Sequence, residues 1–214
     1  MTTQIPTFPH NDFAQNVFGR RSIRRFKPDV KIPRDEMIQI LAEAGRAPSS
    51  MNLQPWRFVV VESAEGKAKL HDQVMTNTPQ VETASALVIV FALAHPEHNA
   101  QEIYDAAVAQ GSMDQATHDR ELTEIAGFYG HAGEVPRTKI IGFDSGLVTM
   151  QLALVARAHG YDTCIIGGFE GPKVQAAFAP GEGLIPQIIV AMGKADEAGY
   201  PTVRLPIDEI TTFA

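Results

Sequence analysis

Apolar residues along the chain recur with two periods, and the switches between them mark out the elements. Over 34–44, Met37, Ile38, Leu41 and Ala44 share a helical face, Pro33 stands just before it, and Asp35 and Glu36 occupy the dipole-favoured first turn. The pattern predicts an amphipathic helix. Two short continuous runs rich in Val and Ile, 57–62 and 86–93, predict strands buried on both faces, with a helix over 64–75 between them. Over 96–136 the chain turns polar and helix-forming, interrupted by Gly111, Gly127, Gly130 and Gly133, which predicts a helical excursion over the core. Residues 143–159 are apolar on nearly every face and stop at Gly160, as a buried central helix with a glycine cap would. A strand at 162–166, the loop Gly167-Gly168-Phe169-Glu170-Gly171, a helix opened by Pro172 and a strand at 186–193 follow. The tail, 200–214, carries Arg204-Leu205-Pro206 and the apolar Ile207, Ile210 and Phe213, which need a surface to pack on. Without repeats, low-complexity tracts or a linker, the chain reads as one domain over 1–214.

Composition narrows the partners. With 214 residues, 44% hydrophobic and 20% charged, the chain can bury a substantial core without disulfide or metal. Its formal charge of −7 opposes general attraction to nucleic acid or anionic lipid. The single cysteine, Cys164, excludes an intrachain disulfide and fits a reducing compartment. The opening residues lack a signal-peptide pattern, and the apolar run 84–94 is too short to cross a bilayer, so a cytoplasmic protein without a membrane helix is expected.

Against that acidic background, Arg20-Arg21-Ser22-Ile23-Arg24-Arg25-Phe26 stands out. Guanidinium forks match phosphate oxygens bidentately and a serine adds a neutral donor, so the cluster is either an anion site or a solvated charged turn. About one helix later comes Ala47-Pro48-Ser49-Ser50-Met51-Asn52-Leu53-Gln54-Pro55-Trp56. Its prolines fix the backbone while Ser49, Ser50, Asn52 and Gln54 offer groups that read a polar heterocycle; the alternative is a helix-ending turn with Trp56 in the core. Gly167 and Gly168 let main chain approach a flat ligand, although glycine pairs are also common loop chemistry. No GxGxxG follows the first strand, and neither GxxxxGK[ST] nor Gly-x-Ser-x-Gly occurs. His95 and His98 flank Pro96 without a completing ligand set, so no metal is expected. Cys164, in an apolar strand, reads as a buried structural thiol. Phe128 and Tyr129, beside glycines, are either packing residues or a substrate gate.

Taken together the motifs resemble the nitroreductase family of FMN-dependent oxidoreductases. Arg20, Arg21, Ser22, Arg24 and Phe26 match its RRSxRxF element, and Pro48, Ser49, Ser50, Asn52, Gln54, Pro55 and Trp56 match its PSSxNxQPW element. The strand and loop at 165–169 and Arg204-Leu205-Pro206 look like the third and fourth elements, so the resemblance covers about 20–206 and least of all 96–136. It implies an α+β, three-layer fold with a mostly antiparallel central sheet, the excursion, an extended C-terminal arm and an entwined homodimer holding FMN at the subunit interface. Arg20, Arg24 and Arg204 would then hold the ribityl phosphate with help from Arg21 and Ser22. The 48–52 segment and Gln54 would lie along the partner's flavin, and Gly167 and Gly168 beside the ring, with the Gly168 N–H near flavin N5. Two departures stand out: Thr202 replaces a Lys found in many members, and Gly167-Gly168 replaces a Glu-Gly.

The implied chemistry is hydride transfer from NADH or NADPH to flavin N5, then reduction of an electron-poor acceptor, a nitroaromatic or quinone, in ping-pong fashion. The cofactor carries that chemistry, so no acid–base pair need stand out in the sequence. Competing readings are a reductive dehalogenase or flavin-fragmenting relative with the excursion as lid, and a non-catalytic FMN-binding module.

Overall fold

The structure, a computed structural model, describes residues 7–179, 181 and 183–214; Met1 to Pro6, part of the segment read for a leader, lie outside the described residues. Its frame is a four-stranded antiparallel sheet in the order β1-β2-β4-β3, formed by Trp56–Val61, Ala86–Leu93, Asp162–Ile166 (β3) and Leu184–Gly193 (β4). Central β2 alternates its apolar side chains between two cores, as a strand covered on both faces must. Leu87, Ile89 and Phe91 join Leu70, Val74 and Val174 on one side, while Val88 and Val90 join Ile40, Trp56, Val148 and Leu152 on the other.

Helices α1 (Phe13–Gly19), α2 (Arg34–Ala44), α3 (Ala64–His71), α4 (Thr78–Thr83), α5 (Ala100–Ala109), α6 (Gln115–His131), α7 (Glu134–Ala158) and α8 (Gly171–Phe178) surround the sheet. Side chains of Asp12, Ser63 and Asp114 cap α1, α3 and α6 by accepting from Gln15, Gly66 and Thr117 backbone N–H groups. α2 and α7 cover one sheet face; α3, α4 and α8 contribute to the other core. This is the expected three-layer α+β arrangement. A third, smaller core of Leu53, Ala100, Tyr104, Ile125 and Tyr129 ties the excursion to the 48–54 loop.

Several expectations are corrected. β1 lies at the sheet edge with Arg57 exposed; Val59 and Val61 pack on one core and Trp56, Phe58 and Val60 on the other, so both faces are covered, though less fully than expected. The helix expected over 64–75 ends at His71, because Met75 is left-handed at φ 50° and a second helix starts before Pro79. β4 begins two residues early, at Leu184; Val90 pairs with Ile188 and Phe91 with Pro186, so Gln187 is the extra residue of a bulge that accommodates the proline. The excursion ends at His131, and Pro136 belongs to the first turn of α7, where its missing N–H is tolerated.

α7 is not buried all round. Ile141, Val148, Leu152 and Ala156 face the core, but Phe143 (64% exposed), Leu147 and Met150 form an outward apolar stripe. By length and hydropathy α7 could cross a bilayer, yet its inner face is packed on the sheet. It closes as foreseen at Gly160: the Gly160 N–H donates to Arg157 O and the Tyr161 N–H to Ala156 O, a Schellman pattern. The tail beyond Gly199 is exposed throughout, with Phe213 at 94%.

Candidate functional site

The basic motif is laid out by its two apolar residues. Ile23 and Phe26 are buried in the core while Arg24 and Arg25 are exposed and Arg20 and Arg21 half-buried. Ser22 bridges Thr163 at the start of β3, and the Ile23 N–H donates to Thr163 O at 3.1 Å. On the other side Phe26 bridges Ala195, and the Asp196 N–H donates to Arg25 O, so the segment leaving β4 runs beside the motif. Glu197 Oε1 accepts from the Arg24 backbone N–H at 2.6 Å, and the Arg24 guanidinium lies 5.0 Å over the Tyr200 ring. Among the described residues, none of Arg20, Arg21, Arg24, Arg25 and Arg204 forms an ion pair. An acidic chain thus leaves five guanidinium groups without a carboxylate, which suits an external anion.

The arginines are not equivalent. Arg21 Nη1 donates to Phe18 O and Arg20 O at 2.8 Å, closing the end of α1. Arg204 donates to its neighbour Val203 O from the exposed tail. It stands four positions after Tyr200, so the chain can carry its Cα at most about 14 Å from that of Tyr200.

From Thr163, opposite Ser22, β3 leads to Gly167 and Gly168, roughly 16 Å along an extended strand. The cations and the glycine pair therefore stand at the two ends of one strand. Around Gly167 a Cβ would meet nothing within 4 Å, and around Gly168 it would meet Met75 Sδ at 3.5 Å and Asn77 Nδ2 at 3.8 Å. The backbone here is open to a flat ligand. Met75 and Asn77 were missed by sequence reasoning; the left-handed Met75 is visible only in the fold.

The 48–54 loop is the most strained stretch of backbone: Met51, Asn52 and Gln54 sit at φ 51°, 52° and 47°. Non-glycine residues there cost roughly 1–2 kcal/mol each, and such strain clusters at ligand sites. Pro48, Met51 and Asn52 are exposed, whereas Ser49 and Ser50 are half-buried and turned to internal tasks. Ser49 Oγ accepts from the Gln54 N–H, and the Ser50 N–H donates to Asp144 Oδ1, both at 3.0 Å. Gln54 Nε2 donates to Asn52. Trp56 is core, as the reading of this segment as a turn into β1 also expects. Asp144, buried on α7, has its carboxyl pushed up by desolvation, partly offset by the Ser50 N–H.

The remaining candidates separate. Tyr129 is buried at 4% exposure, with its phenol pushed up by desolvation and Arg137 stacked 5.0 Å over its ring; it is a packing residue. Phe128, 41% exposed and edge-on to Tyr129, remains at the surface. Cys164 is buried, its Sγ 3.7 Å from Gln80 Nε2. In the 3₁₀ turn Pro96–Asn99, Glu97 lies with His95 and His98, their ligand atoms within 4.8 Å of one another. Glu97 Oε1 is engaged by Arg137 Nη1 at 2.6 Å, which also lies 3.3 Å from His95 Nδ1, so the cluster faces a guanidinium.

Comparison with known proteins is extensive. The sequence model of the nitroreductase family matches residues 17–194. A Bacillus subtilis protein, YdgI, which carries an NAD(P)H nitroreductase name, is 44% identical over 95% of this chain and 98% of its own length. A "CLA biosynthesis enone reductase" from Lactiplantibacillus plantarum is 35% identical over 100% of this chain and 99% of its own. Among solved structures, a nitroreductase-like protein of Exiguobacterium sibiricum in complex with FMN superposes with a TM-score of 0.92 at 47% identity, covering all of both chains.

Proposed function

The chain belongs to the nitroreductase family, and on that premise we propose that it is an FMN-dependent NAD(P)H oxidoreductase reducing an electron-poor acceptor. The observation that carries the reading is the set of arginines at one end of β3 that have no carboxylate partner among the described residues, together with the open glycine pair at the other end. Bound FMN would take a hydride from the nicotinamide and return two electrons to the acceptor. The chain's own groups do the rest. Arg20, Arg24 and Arg204, with the Ser22 hydroxyl, hold the phosphate, while Arg21 orders the end of α1 and so positions Arg20. Gly168 offers its backbone N–H to the ring edge, and Pro48, Ser49, Ser50, Asn52 and Gln54 present a pre-shaped backbone to a flavin. Phe128 stands at the surface as the aromatic that a flat acceptor can meet. Donor and acceptor stack in turn in the same place, which gives ping-pong kinetics.

We place the flavin between two copies of a single 1–214 unit in the cytoplasm. The α7 stripe, Phe13 and Phe18 on α1 and the apolar tail supply the surface for a second copy. Anaerobic titration of purified protein with NADH and NADPH, watched at the flavin band, tests the reading; nitroaromatic, quinone and enone acceptors are then offered to the reduced protein. Bleaching by nicotinamide, release of FMN rather than FAD on denaturation, and parallel double-reciprocal lines are expected. Bound flavin that neither nicotinamide reduces would leave only an FMN-binding module, and a monomer by light scattering with FMN fully bound would remove the interface.

A further inference from the structure

The polar excursion between β2 and α7 supplies only Phe128 to the reading above, yet its side chains reach the strained loop directly. Tyr104 on α5 is buried, and its hydroxyl donates to Met51 O at 3.1 Å. Asn99, at the start of the same helix, uses Nδ2 to donate to Leu53 O at 2.7 Å and Gln54 O at 3.2 Å, while its Oδ1 accepts from Arg57 Nη2 at 3.0 Å. Leu53 is itself buried in the small core that Tyr104, Ile125 and Tyr129 complete. Three carbonyls in the stretch of three left-handed residues are thus fixed by two side chains from 45 or more residues away. Unheld, that backbone would relax toward ordinary φ, because the left-handed wells are the less stable ones for residues with a Cβ.

We propose that Tyr104 and Asn99 are positioning residues of the 48–54 loop, and that the excursion is a buttress that imposes the loop's left-handed shape before any ligand arrives. The proposal rests on the flavin reading only for what the loop touches; the shape itself is a property of the unliganded chain. In a pre-shaped loop the ordering entropy is lost on folding instead of on binding, so loosening the buttress lowers ligand affinity without removing any ligand contact. The chemistry fits this division: Met51 and Asn52 remain exposed on the outer side, while the carbonyls on the inner side are occupied.

Tyr104→Phe deletes one hydroxyl and keeps the packing, and Asn99→Ala deletes both donors to the loop. Amide hydrogen exchange over 49–54 is measured on flavin-free protein, and FMN affinity on the same preparations. A net hydrogen bond of ordinary strength implies exchange faster by about 2–10-fold in Tyr104→Phe, and more in Asn99→Ala, with FMN affinity lower by a similar factor. Tyr161→Phe is the control: it removes a buried hydroxyl that donates to Glu36 Oε2 at 2.7 Å and not to any group of the loop, and should leave 49–54 exchange unchanged. Exchange at 49–54 unaltered in both excursion variants, or raised equally by Tyr161→Phe, would overturn the proposal. Should wild-type protein bind no FMN, the functional reading fails while the exchange measurement still decides the buttress.

Discussion

Gly199 sits where the segment beside the basic motif gives way to the exposed tail, and replacing it with alanine should damage both stability and anion binding. Its φ is +71°, and an added Cβ would lie 2.8 Å from Arg21 Cβ and 3.1 Å from Ile23 Cδ1. Arg21 Cβ is fixed to the backbone and cannot swing aside, and Ile23 is core, so the motif itself must move. The left-handed φ costs roughly 1–2 kcal/mol, and forced overpacking adds about 1–3 kcal/mol. Gly111 separates the two contributions: its φ is +78°, but its Cβ would meet nothing within 4 Å. Gly111→Ala should therefore lose only the conformational part, about 1–2 kcal/mol, and the entropy lost from the unfolded chain is common to both variants. For a chain of this size about 2–4 °C in Tm follows each kcal/mol. Thermal melts of the two variants, with FMN affinity measured alongside, give the comparison. Gly199→Ala should melt below Gly111→Ala and alone bind FMN more weakly; equal melting temperatures with unchanged affinity would falsify the reasoning.

Arg204→Ala should lower FMN affinity about tenfold to a hundredfold with little change in melting, since a charge-assisted contact contributes roughly 1.5–3 kcal/mol and the exposed side chain donates only to its neighbour Val203 O among the described residues; unchanged affinity by fluorescence titration removes it from the site. His118 is buried between Asp119 Oδ1 at 2.7 Å and Asp105 Oδ1 at 2.8 Å, and these hydrogen bonds raise its pKa, Asp119 foremost. The stability it contributes is complete below about pH 6.5 and is lost as pH rises through the higher folded-state value, so His118→Gln should flatten that part of the melting-against-pH curve; an unaltered curve counts against the ion cluster. Burial raises Asp144, so the native state holds its proton above the unfolded value of about 3.9 and stability falls as pH rises through that window. Asp144→Asn keeps an oxygen for the Ser50 N–H and should remove the slope, whereas a steeper slope in denaturant melts would contradict the assignment.

The parts of this fold that were legible in the sequence are those whose burial is written into local pattern. β2 and β3 match their expected spans residue for residue, because continuous Val, Ile and Leu runs of that length have little else to become. α2 kept its span of 34–44, but not its face: Ile38, expected on the apolar side, is exposed, and Ile40 is buried instead. The outward stripe of α7 was not legible, because a helix apolar on all sides looks the same whether one face meets a core or a second molecule. Within the site, the arginine motif and the glycine pair were visible as residue types, while Met75 and Asn77 carried no signal of their own. The anchors of the loop were invisible for a different reason: Asn99, Tyr104 and Asp144 lie 46, 53 and 94 residues from the backbone groups they hold. Left-handed φ at Met51 and Gln54, residue types with no preference for it, likewise follows from tertiary contacts and not from local sequence.

The same helix connects the two halves of the proposed site. On α7, Phe143 and Leu147 point outward while Asp144, one residue on from Phe143, points inward and takes the Ser50 N–H. A second copy seated on the outward stripe would press on the turn of helix that holds the loop, and the loop's exposed residues, Met51 and Asn52, lie on the side left open to a ligand. The excursion meets the loop from the other direction through Tyr104 and Asn99. Loop geometry is thus set by two supports, one belonging to the chain alone and one shared with the surface that a partner would cover. If copies associate through α7, dissociating them should slacken the Ser50–Asp144 contact first and leave the Tyr104 and Asn99 contacts in place. Flavin affinity would then fall on dilution before the fold does, because the core that holds Leu53 and Tyr104 is complete within one chain.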